Sequence, residues 1–449
     1  MRLLFLLACC SCASAGWFGG DAEQQPPPPP PAHGPVQWGI MGTAKIARKM
    51  AWAIEQAENS VLTAVASRSI DRAVKFTAEH TQSMGHARFY GSYEELIADT
   101  LVEAVYIPLP TALMKPWVLK ACNAQKHVLA DKPFGSAADV AEMAAACARN
   151  GRQFMDATMF VHNRREEELQ RQIAGGVIGE VRRVKAAFTY TGLAPDNIRL
   201  DGTLEPMAAL GDVGWYAIRA SLLALPDAKP IGAQCFGLNN QGAKDMMGAI
   251  SFEGGAVAMI EAAFGVANRQ KLEIIGSEKT IEIPDFAIPN DPMTSFTVRQ
   301  LHKGVFDTSA EELPYHFENS YQTVAMIRRF SYIAGAGNAL LEPVWGEWSV
   351  RTMAVLDACM ASIAKGGAQV SIVIPSITPQ LVPPPPPPLP PPSPPHVAKP
   401  AESNFLHSRG AAAGAAADGA EADAVKVGAA ARGPGVPPNQ HPLTAGGEL

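Results

Sequence analysis

Short apolar runs and stretches with helical spacing alternate along the first third of the chain. The apolar runs VQWGIM, SVLTAVAS, AVYIPLP and HVLAD have the length of buried strands, and stretches such as AKIARKMAWAIEQA and ALMKPWVLKACNAQ follow them. Strands that alternate with helices are typical of a parallel sheet with right-handed crossovers. The pattern therefore predicts a doubly wound α/β domain over residues 36–158.

The pattern changes after about residue 160. Longer strand-like runs with partial alternation, including GEVRRVKAAFTYTG, AVAMIEAAFG and QKLEIIGSEKTIEIP, follow one another with short turns. Two helical stretches, FENSYQTVAMIRRFSYIAG and WSVRTMAVLDACMASIAKG, come near the end. Such strands predict an antiparallel sheet that is solvated on one side or used as an interface. Residues 159–375 are therefore predicted to form an α+β domain with an open antiparallel sheet.

Both ends of the chain differ from these two domains. Residues 1–15, MRLLFLLACCSCASA, have the charged start, apolar stretch and small-residue cleavage site of a signal peptide. Residues 16–35 form a proline-rich linker, and residues 376–449 hold a second proline run and an Ala/Gly-rich stretch. Such segments cannot bury a core, so the tail is predicted to be disordered. The proline runs are either spacers or docking sites for a proline-binding domain.

Composition narrows the class of protein. The 449 residues carry a net charge of −6, which argues against a nucleic-acid partner. No run beyond the signal is long and apolar enough for a membrane helix, so we expect a soluble mature protein that enters the secretory pathway and is secreted or organellar.

Four cysteines follow the signal: Cys122, Cys147, Cys235 and Cys359. They stand far apart in apolar contexts, without the spacing of metal ligands, and we expect them to be buried and unpaired.

A glycine turn joins the first predicted strand to the first helix in GIMGTAKIARK. Gly42 permits a tight turn, and Ala44 and Ala47 are small enough for a phosphate and the strand to approach closely. The helix N-terminus would then face the pyrophosphate of a dinucleotide. The match to the dinucleotide fingerprint is loose, but its place between a strand and a helix is the required one.

The second strand ends in VASRS. An enzyme that uses NAD places an acidic residue here to hold the ribose 2′-hydroxyl. This chain has Ser67 and Arg68, and Arg72 follows one helical turn later. Because a guanidinium pairs well with a phosphate, the sequence favours NADP over NAD.

Asp212 and Tyr216 punctuate the otherwise apolar stretch ALGDVGWYAIRASLLAL, residues 209–225. Residues at i and i+4 share one face of a helix, so a partner on that face must satisfy both groups. Asp212 either caps the helix or sits in its first turn, where a negative charge is favoured, or it belongs with Tyr216 to a reactive site.

The stretch VLADKPFG, residues 128–135, places Lys132 at the carboxyl end of a strand, where ligands bind in parallel sheets. With GSYEELIAD, AVYIPLPTAL, FMDATMFVHNRR and GDVGWYAIRA, it makes residues 36–375 resemble the Gfo/Idh/MocA oxidoreductases, in the dihydrodiol dehydrogenase-like branch. The resemblance implies a Rossmann domain, a C-terminal domain with an open antiparallel sheet, and a homodimer through that sheet.

The resemblance also implies site residues. Lys132, Asp212 and Tyr216 would be catalytic, with Tyr216 as the general acid/base whose pKa a nearby Lys132 ammonium would lower. Arg199 and His162 would line the substrate, although a structural histidine is an equal interpretation of His162. The cofactor contacts would be Gly42, Thr43, Ala44, Lys45, Ile46, Ser67, Arg68, Arg72, Leu109, Pro110, Thr111, Asp131 and Lys132; no metal ligands are expected.

Three positions depart from the family pattern: Asp131 replaces a glutamate, Met114 a histidine, and Ala157 a glycine. The sequence predicts an NADP-dependent oxidoreductase that transfers a hydride between the nicotinamide and a small hydroxyl or carbonyl substrate, such as a sugar, polyol or trans-dihydrodiol. The alternative is a catalytically silent NAD(P)-binding sensor or scaffold. The presence of Lys132, Asp212 and Tyr216 favours the enzyme.

Overall fold

The computed structural model describes residues 34–289, 292–301 and 310–377. The predicted signal peptide, the linker up to residue 33 and the tail from residue 378 lie outside these ranges. Within them, no helix combines the length and the apolar character needed to cross a membrane.

The first domain is built on a sheet of parallel strands in the order β3-β2-β1-β4-β5-β6, which confirms the doubly wound prediction. Its topological switch lies between β1 and β4, where such sheets bind ligands. The strands are β1 (Val36–Met41), β2 (Ser60–Ala66), β3 (Arg88–Tyr90), β4 (Ala104–Ile107), β5 (His127–Ala130) and β6 (Phe154–Asp156). The helices between them are α1 (Lys45–Gln56), α2 (Ile70–His80), α3 (Tyr93–Ala98), α4 (Thr111–Asn123) and α5 (Ala137–Arg149).

Local sequence explains how these elements begin. β4 and β5 are buried along their whole length, as expected for parallel strands covered on both faces. The side chains of Ser69, Ser92 and Ser136 cap α2, α3 and α5 by accepting a backbone N–H. α1 begins after Ala44 with no side-chain cap. This is the helix whose N-terminus was predicted to face a pyrophosphate.

The second sheet has the strand order β14-β13-β12-β11-β7-β10-β9-β8-β15. Its strands are β7 (Val181–Tyr190), β8 (Pro230–Gly237), β9 (Asp245–Phe252), β10 (Val257–Phe264), β11 (Arg269–Gly276), β12 (Thr280–Ile283), β13 (Thr294–Leu301), β14 (Ala310–Phe317) and β15 (Val370–Ser371). All neighbours run antiparallel except β7 and β10. The mostly antiparallel sheet was predicted, whereas β14 and β15 were not recognised as strands.

The structure describes four further α-helices. They are α6 (Arg164–Ala174), α7 (Trp215–Ala224), α8 (Gln322–Gly335) and α9 (Val344–Ala364). α7 and α9 pack on one face of the second sheet, whereas α8 returns to pack on α1 and β1. There Trp38 Nε1 donates a hydrogen bond to Ser331 Oγ at 3.0 Å. Residues after 158 therefore also pack on the first sheet. The domain boundary at residue 158 stays a prediction.

The expectation of unpaired cysteines is wrong. Cys122 on α4 and Cys147 on α5 form a disulfide with Cα atoms 4.7 Å apart, and Cys235 on β8 and Cys359 on α9 form another with Cα atoms 5.2 Å apart. All four are buried, as expected. The partners are 25 and 124 positions apart in the sequence, so only the packing of α4 on α5 and of α9 on β8 brings them together.

Candidate active site

Lys132 lies at the carboxyl edge of the first sheet, two residues after β5 ends. Its Nζ donates hydrogen bonds to the Asp212 backbone oxygen at 2.7 Å and to Asp212 Oδ1 at 2.9 Å. The same Nζ lies 4.9 Å from the centre of the Tyr216 ring. The structure therefore brings the three predicted catalytic residues together at this edge.

Asp212 lies in a π-helical turn, Leu210–Gly214, directly before α7. Its Oδ2 accepts hydrogen bonds from Arg199 Nε at 2.8 Å and from the Tyr190 hydroxyl at 2.9 Å. No side chain caps this turn or the start of α7, so Asp212 is not a capping residue, although it does lie in the first turn of the helical segment, as the helix-start interpretation also allowed. Arg199, which was predicted to line the substrate, therefore lies in the same cluster as Lys132 and Asp212, and its contact with a substrate stays a prediction.

Gly211 allows the turn to approach the loop that carries Lys132. A Cβ placed on Gly211 would lie 2.7 Å from Met207 and 3.0 Å from Pro133, which is too close for a real side chain. The turn before α7 can therefore press against the Lys132–Pro133 loop only because this residue is glycine.

Opposite charges keep the buried pair ionised. Burial alone would raise the pKa of Asp212, but the Lys132 and Arg199 charges hold it well below its usual value. Burial alone would lower the pKa of Lys132, but Asp212, Tyr216 and Asp131 raise it well above its usual value. At neutral pH the site therefore holds a charged lysine against an ionised carboxylate.

Tyr216 differs from the prediction in the sign of its pKa shift. Lys132 does lower the pKa of the phenol, as expected, but burial raises it more, and Asp131 and Asp212 raise it further. The net pKa is therefore above its ordinary value. Its hydroxyl makes no hydrogen bond to the part of the chain that the structure describes. A protonated phenol with an unused donor is suited to give a proton to a substrate.

Two tyrosines that the sequence did not single out hold the carboxylates of the site. Tyr190, the last residue of β7, donates to Asp212 and packs edge-on against Phe264. Tyr106 on β4 donates to Asp131 Oδ2 at 3.2 Å, while Asp131 Oδ1 accepts the Lys132 N–H at 2.9 Å. The one feature of the sequence that could have pointed to these two tyrosines is their position at or near the carboxyl end of a predicted strand.

The predicted cofactor turn has the required shape. Gly42 has φ = 121°, a conformation that L side chains rarely adopt, and a Cβ there would lie 3.4 Å from Leu109. The next residues, Thr43 to Ile46, lead into the uncapped start of α1. Thr43 Oγ1 lies 3.5 Å from Ser67 Oγ, at the end of β2. The positive-φ turn at Gly42 and the uncapped helix fit a dinucleotide phosphate.

The other predicted cofactor residues divide into two groups. Arg68 and Arg72 are exposed beside this turn, and neither forms an ion pair within the described ranges. Pro110 precedes α4, and Thr111 begins it with its N–H and hydroxyl donating to Glu205 at 3.1 and 2.6 Å. Glu205, which the sequence did not suggest, therefore holds the segment after Arg199 against the start of α4.

His162 lies apart from the Lys132 cluster in its contacts. Its ring stacks on Trp345 with centroids 4.6 Å apart, and burial lowers its pKa to about 3. The neutral, stacked and buried ring fits a structural histidine, but its buried Nε2 has no hydrogen-bond partner among the described residues, so the expected hydrogen bond at that atom is not found. A substrate contact by His162 stays a prediction.

Comparison with known proteins places this geometry in context. Residues 36–158 match a family described as an oxidoreductase family with an NAD-binding Rossmann fold, and residues 167–282 match the GFO/IDH/MocA C-terminal domain. The chain is 34% identical over 345 residues to an uncharacterized oxidoreductase of Rhizobium meliloti, covering 74% of this chain and 98% of the relative. It is 27% identical to a trans-1,2-dihydrobenzene-1,2-diol dehydrogenase of Danio rerio, covering 70% of this chain and 95% of the relative.

A solved structure is also similar. It is a 3-ketoreductase from Actinomadura kijaniata in complex with NADP and TDP-benzene. The TM-score is 0.63 at 27% sequence identity, and the match covers 74% of this chain and 98% of that chain. The two family matches, at residues 36–158 and 167–282, include Lys132 and the turn before α7.

Proposed function

The chain belongs to the GFO/IDH/MocA oxidoreductase family, and we propose that it is an NADP-dependent enzyme that interconverts a carbonyl and a hydroxyl group on a small sugar, polyol or trans-dihydrodiol. The observation that carries this proposal is the buried Lys132–Asp212 pair beside the Tyr216 hydroxyl, which makes no hydrogen bond to the described residues. A sensor or scaffold that had lost turnover would not need this arrangement, so the site supports an enzyme.

The preference for NADP is supported by charge at the end of β2. Arg68 and Arg72 are exposed there without a carboxylate partner in the described ranges, so they are available for a 2′-phosphate. An acidic residue that would bind the ribose 2′-hydroxyl of NAD is absent from VASRS. The similar ketoreductase was solved with NADP.

The chain's own residues would manage the proton of the reaction. When bound, the reduced nicotinamide supplies the hydride to the carbonyl carbon. Tyr216 donates its phenolic proton to the carbonyl oxygen, which becomes the hydroxyl of the product. The Lys132 ammonium, close to the Tyr216 ring, stabilises the negative charge that develops on the phenol and on the substrate oxygen. Asp212 holds that ammonium in place.

A lysine and a tyrosine are also singled out in the similar ketoreductase. Solved structures of that protein carry a substitution of one lysine and, separately, of one tyrosine. The two residues are as many positions apart in its sequence as Lys132 and Tyr216 are here. This equal separation supports a shared role for the pair.

Binding and turnover test the proposal separately. Calorimetric titration with NADPH and NADH should show tighter binding of NADPH. A panel of aldoses, polyols, their keto forms and trans-dihydrodiols should then give absorbance changes at the nicotinamide band. Tight NADPH binding without turnover on any member of the panel would instead support the sensor alternative.

We also propose a homodimer through the exposed face of the second sheet. α7 and α9 cover the other face, whereas Phe236, Met247 and Met259 are 40–46% exposed. Phe236 pairs with Met247 across β8 and β9, and Met259 lies on the next strand, β10, opposite Ala249. An apolar stripe of this kind is typical of a protein interface.

We further propose that the chain folds in an oxidising compartment, reached through the secretory pathway. The two buried disulfides support this, because such bonds persist mainly where the surroundings are oxidising. Alkylation of the denatured protein without reductant should leave Cys122, Cys147, Cys235 and Cys359 unlabelled. Labelling of all four would contradict the proposal.

A further inference from the structure

Tyr93 has a fixed position beside the cofactor turn. It is the first residue of α3, whose start is held by a capping box between Ser92 and Glu95. Its ring packs edge-on against Trp117 of α4, with centroids 5.0 Å apart. The Lys120 ammonium lies over the Trp117 ring at 4.1 Å. Helix capping and aromatic packing therefore both determine where the phenol lies.

The Tyr93 hydroxyl faces the glycine of the phosphate turn. A Cβ placed on Gly42 would lie 3.5 Å from the Tyr93 oxygen and 3.4 Å from Leu109. Within residues 34–289, 292–301 and 310–377, this hydroxyl makes no hydrogen bond, and the side chain is partly exposed. The phenol therefore presents an unused donor to the turn.

Two positive charges act on the same phenol. Burial raises the pKa of Tyr93, whereas the guanidinium groups of Arg68 and Arg72 lower it, so both arginines lie within electrostatic reach of the hydroxyl. Neither arginine is neutralised by a carboxylate in the described part of the chain. The Tyr93 hydroxyl against Gly42 and the two guanidinium groups within its electrostatic reach are thus donors with no protein acceptor among the described residues.

We propose that Tyr93 is a cofactor-binding residue whose hydroxyl donates a hydrogen bond to a phosphate oxygen of the dinucleotide. This inference rests on the proposed function, because it requires that a dinucleotide binds at Gly42. The phosphate is either the 2′-phosphate, which Arg68 and Arg72 would share, or the pyrophosphate at the start of α1. Both sources present the same acceptor chemistry to the phenol.

Calorimetric titration of the full chain tests this inference without any substrate. Tyr93→Phe keeps the ring against Trp117 and removes only the hydroxyl. We expect NADPH affinity to fall by roughly 10–100-fold, the range for a hydrogen bond to a charged group. Unchanged NADH affinity would identify the 2′-phosphate, and an equal loss for NADH would identify the pyrophosphate.

The control is Tyr315→Phe, which removes a hydroxyl from β14, where the ring stacks on Phe296. It should leave the affinity for both dinucleotides unchanged. Wild-type NADPH affinity in Tyr93→Phe, with or without a lower melting temperature, would overturn the inference and leave the proposed function standing. A wild-type protein that binds neither NADPH nor NADH would overturn both.

Discussion

Lys132 is bonded to Asp212 at two points: its ammonium donates to the backbone oxygen at 2.7 Å and to the carboxylate at 2.9 Å. The lysine follows the last residues of β5, whereas the aspartate lies in the turn before α7. The pair therefore connects the edge of the parallel sheet, where a nicotinamide would lie, to the helix that carries Tyr216. Each residue keeps the other charged, because either charge alone would be costly to bury.

Tyr216→Phe should abolish proton donation and leave the cofactor site intact. The ring still packs against Phe160 and Phe188, so the melting temperature should stay near the wild-type value. Turnover should fall by roughly 10²–10⁴-fold, the usual share of general acid–base catalysis. Steady-state kinetics and an NADPH titration measure the two effects. Full activity in this variant would remove Tyr216 from the mechanism.

Tyr190→Phe should slow turnover only through its effect on the position of the Asp212 carboxylate. Its hydroxyl supports Oδ2 of that carboxylate, so its removal should reduce turnover by roughly 10–100-fold, the scale of a hydrogen bond to a charged group. If Tyr190 acts only as a positioning residue, Tyr190→Phe should add little to the loss already caused by Asp212→Asn. Additive losses in kcat would show a separate role.

The matched control for this cycle is Tyr90→Phe. Tyr90 donates to the buried Asp99 at 3.0 Å, so it forms the same kind of pair outside the Lys132 cluster. Its loss should lower the melting temperature and leave kcat unchanged. A fall in kcat for Tyr90→Phe as large as that for Tyr190→Phe would mean that loss of stability, and not positioning of Asp212, explains the effect.

Arg68→Ala should weaken NADPH selectively. The guanidinium is exposed at the end of β2 and has no carboxylate partner in the described ranges, so a 2′-phosphate would be its main ligand. We expect a loss of about 1.5–3 kcal/mol for NADPH and little change for NADH. Arg182→Ala, at an exposed position on β7, controls for the loss of one positive charge. Equal losses for both dinucleotides would contradict the assignment.

The order of strands and helices was readable from the sequence because parallel strands are buried on both faces and stand out as apolar runs. Lys132 could be placed at a strand end for the same reason. The contact of Tyr190 with Asp212 could not be predicted, because it joins the end of one strand to an irregular turn. The sign of the Tyr216 pKa shift was missed because burial, which only the packing reveals, outweighs the nearby charge.

Met247→Glu should disrupt the proposed dimer. Met247 is 46% exposed on the open face of the second sheet, opposite Phe236, so a carboxylate there would be buried against its own copy. Sedimentation velocity should show a dimer for the wild-type protein and a monomer for the variant. Leu101→Glu, at a position that is 59% exposed on the first domain, should stay dimeric. A monomeric wild-type protein would rule out the interface.

Glu166→Gln should stabilise the protein at neutral pH and not in acid. Glu166 is buried on α6, where burial raises its pKa to about 7, although Gln170 donates a hydrogen bond to it. The unfolded chain ionises this group near its ordinary pKa of about 4.3. Between these two pH values the folded state binds one proton more than the unfolded state. The wild-type protein therefore loses stability as pH rises from about 4.3 to 7, and it loses no more above pH 7.

The Glu166→Gln variant lacks this loss of stability. Urea unfolding at several pH values should show no difference near pH 4 and a gain that grows to at most about 3.7 kcal/mol at pH 8. Glu180→Gln, which removes an exposed carboxylate, is the control. A gain that does not change with pH would show that the effect comes from packing and not from the ionisation of Glu166.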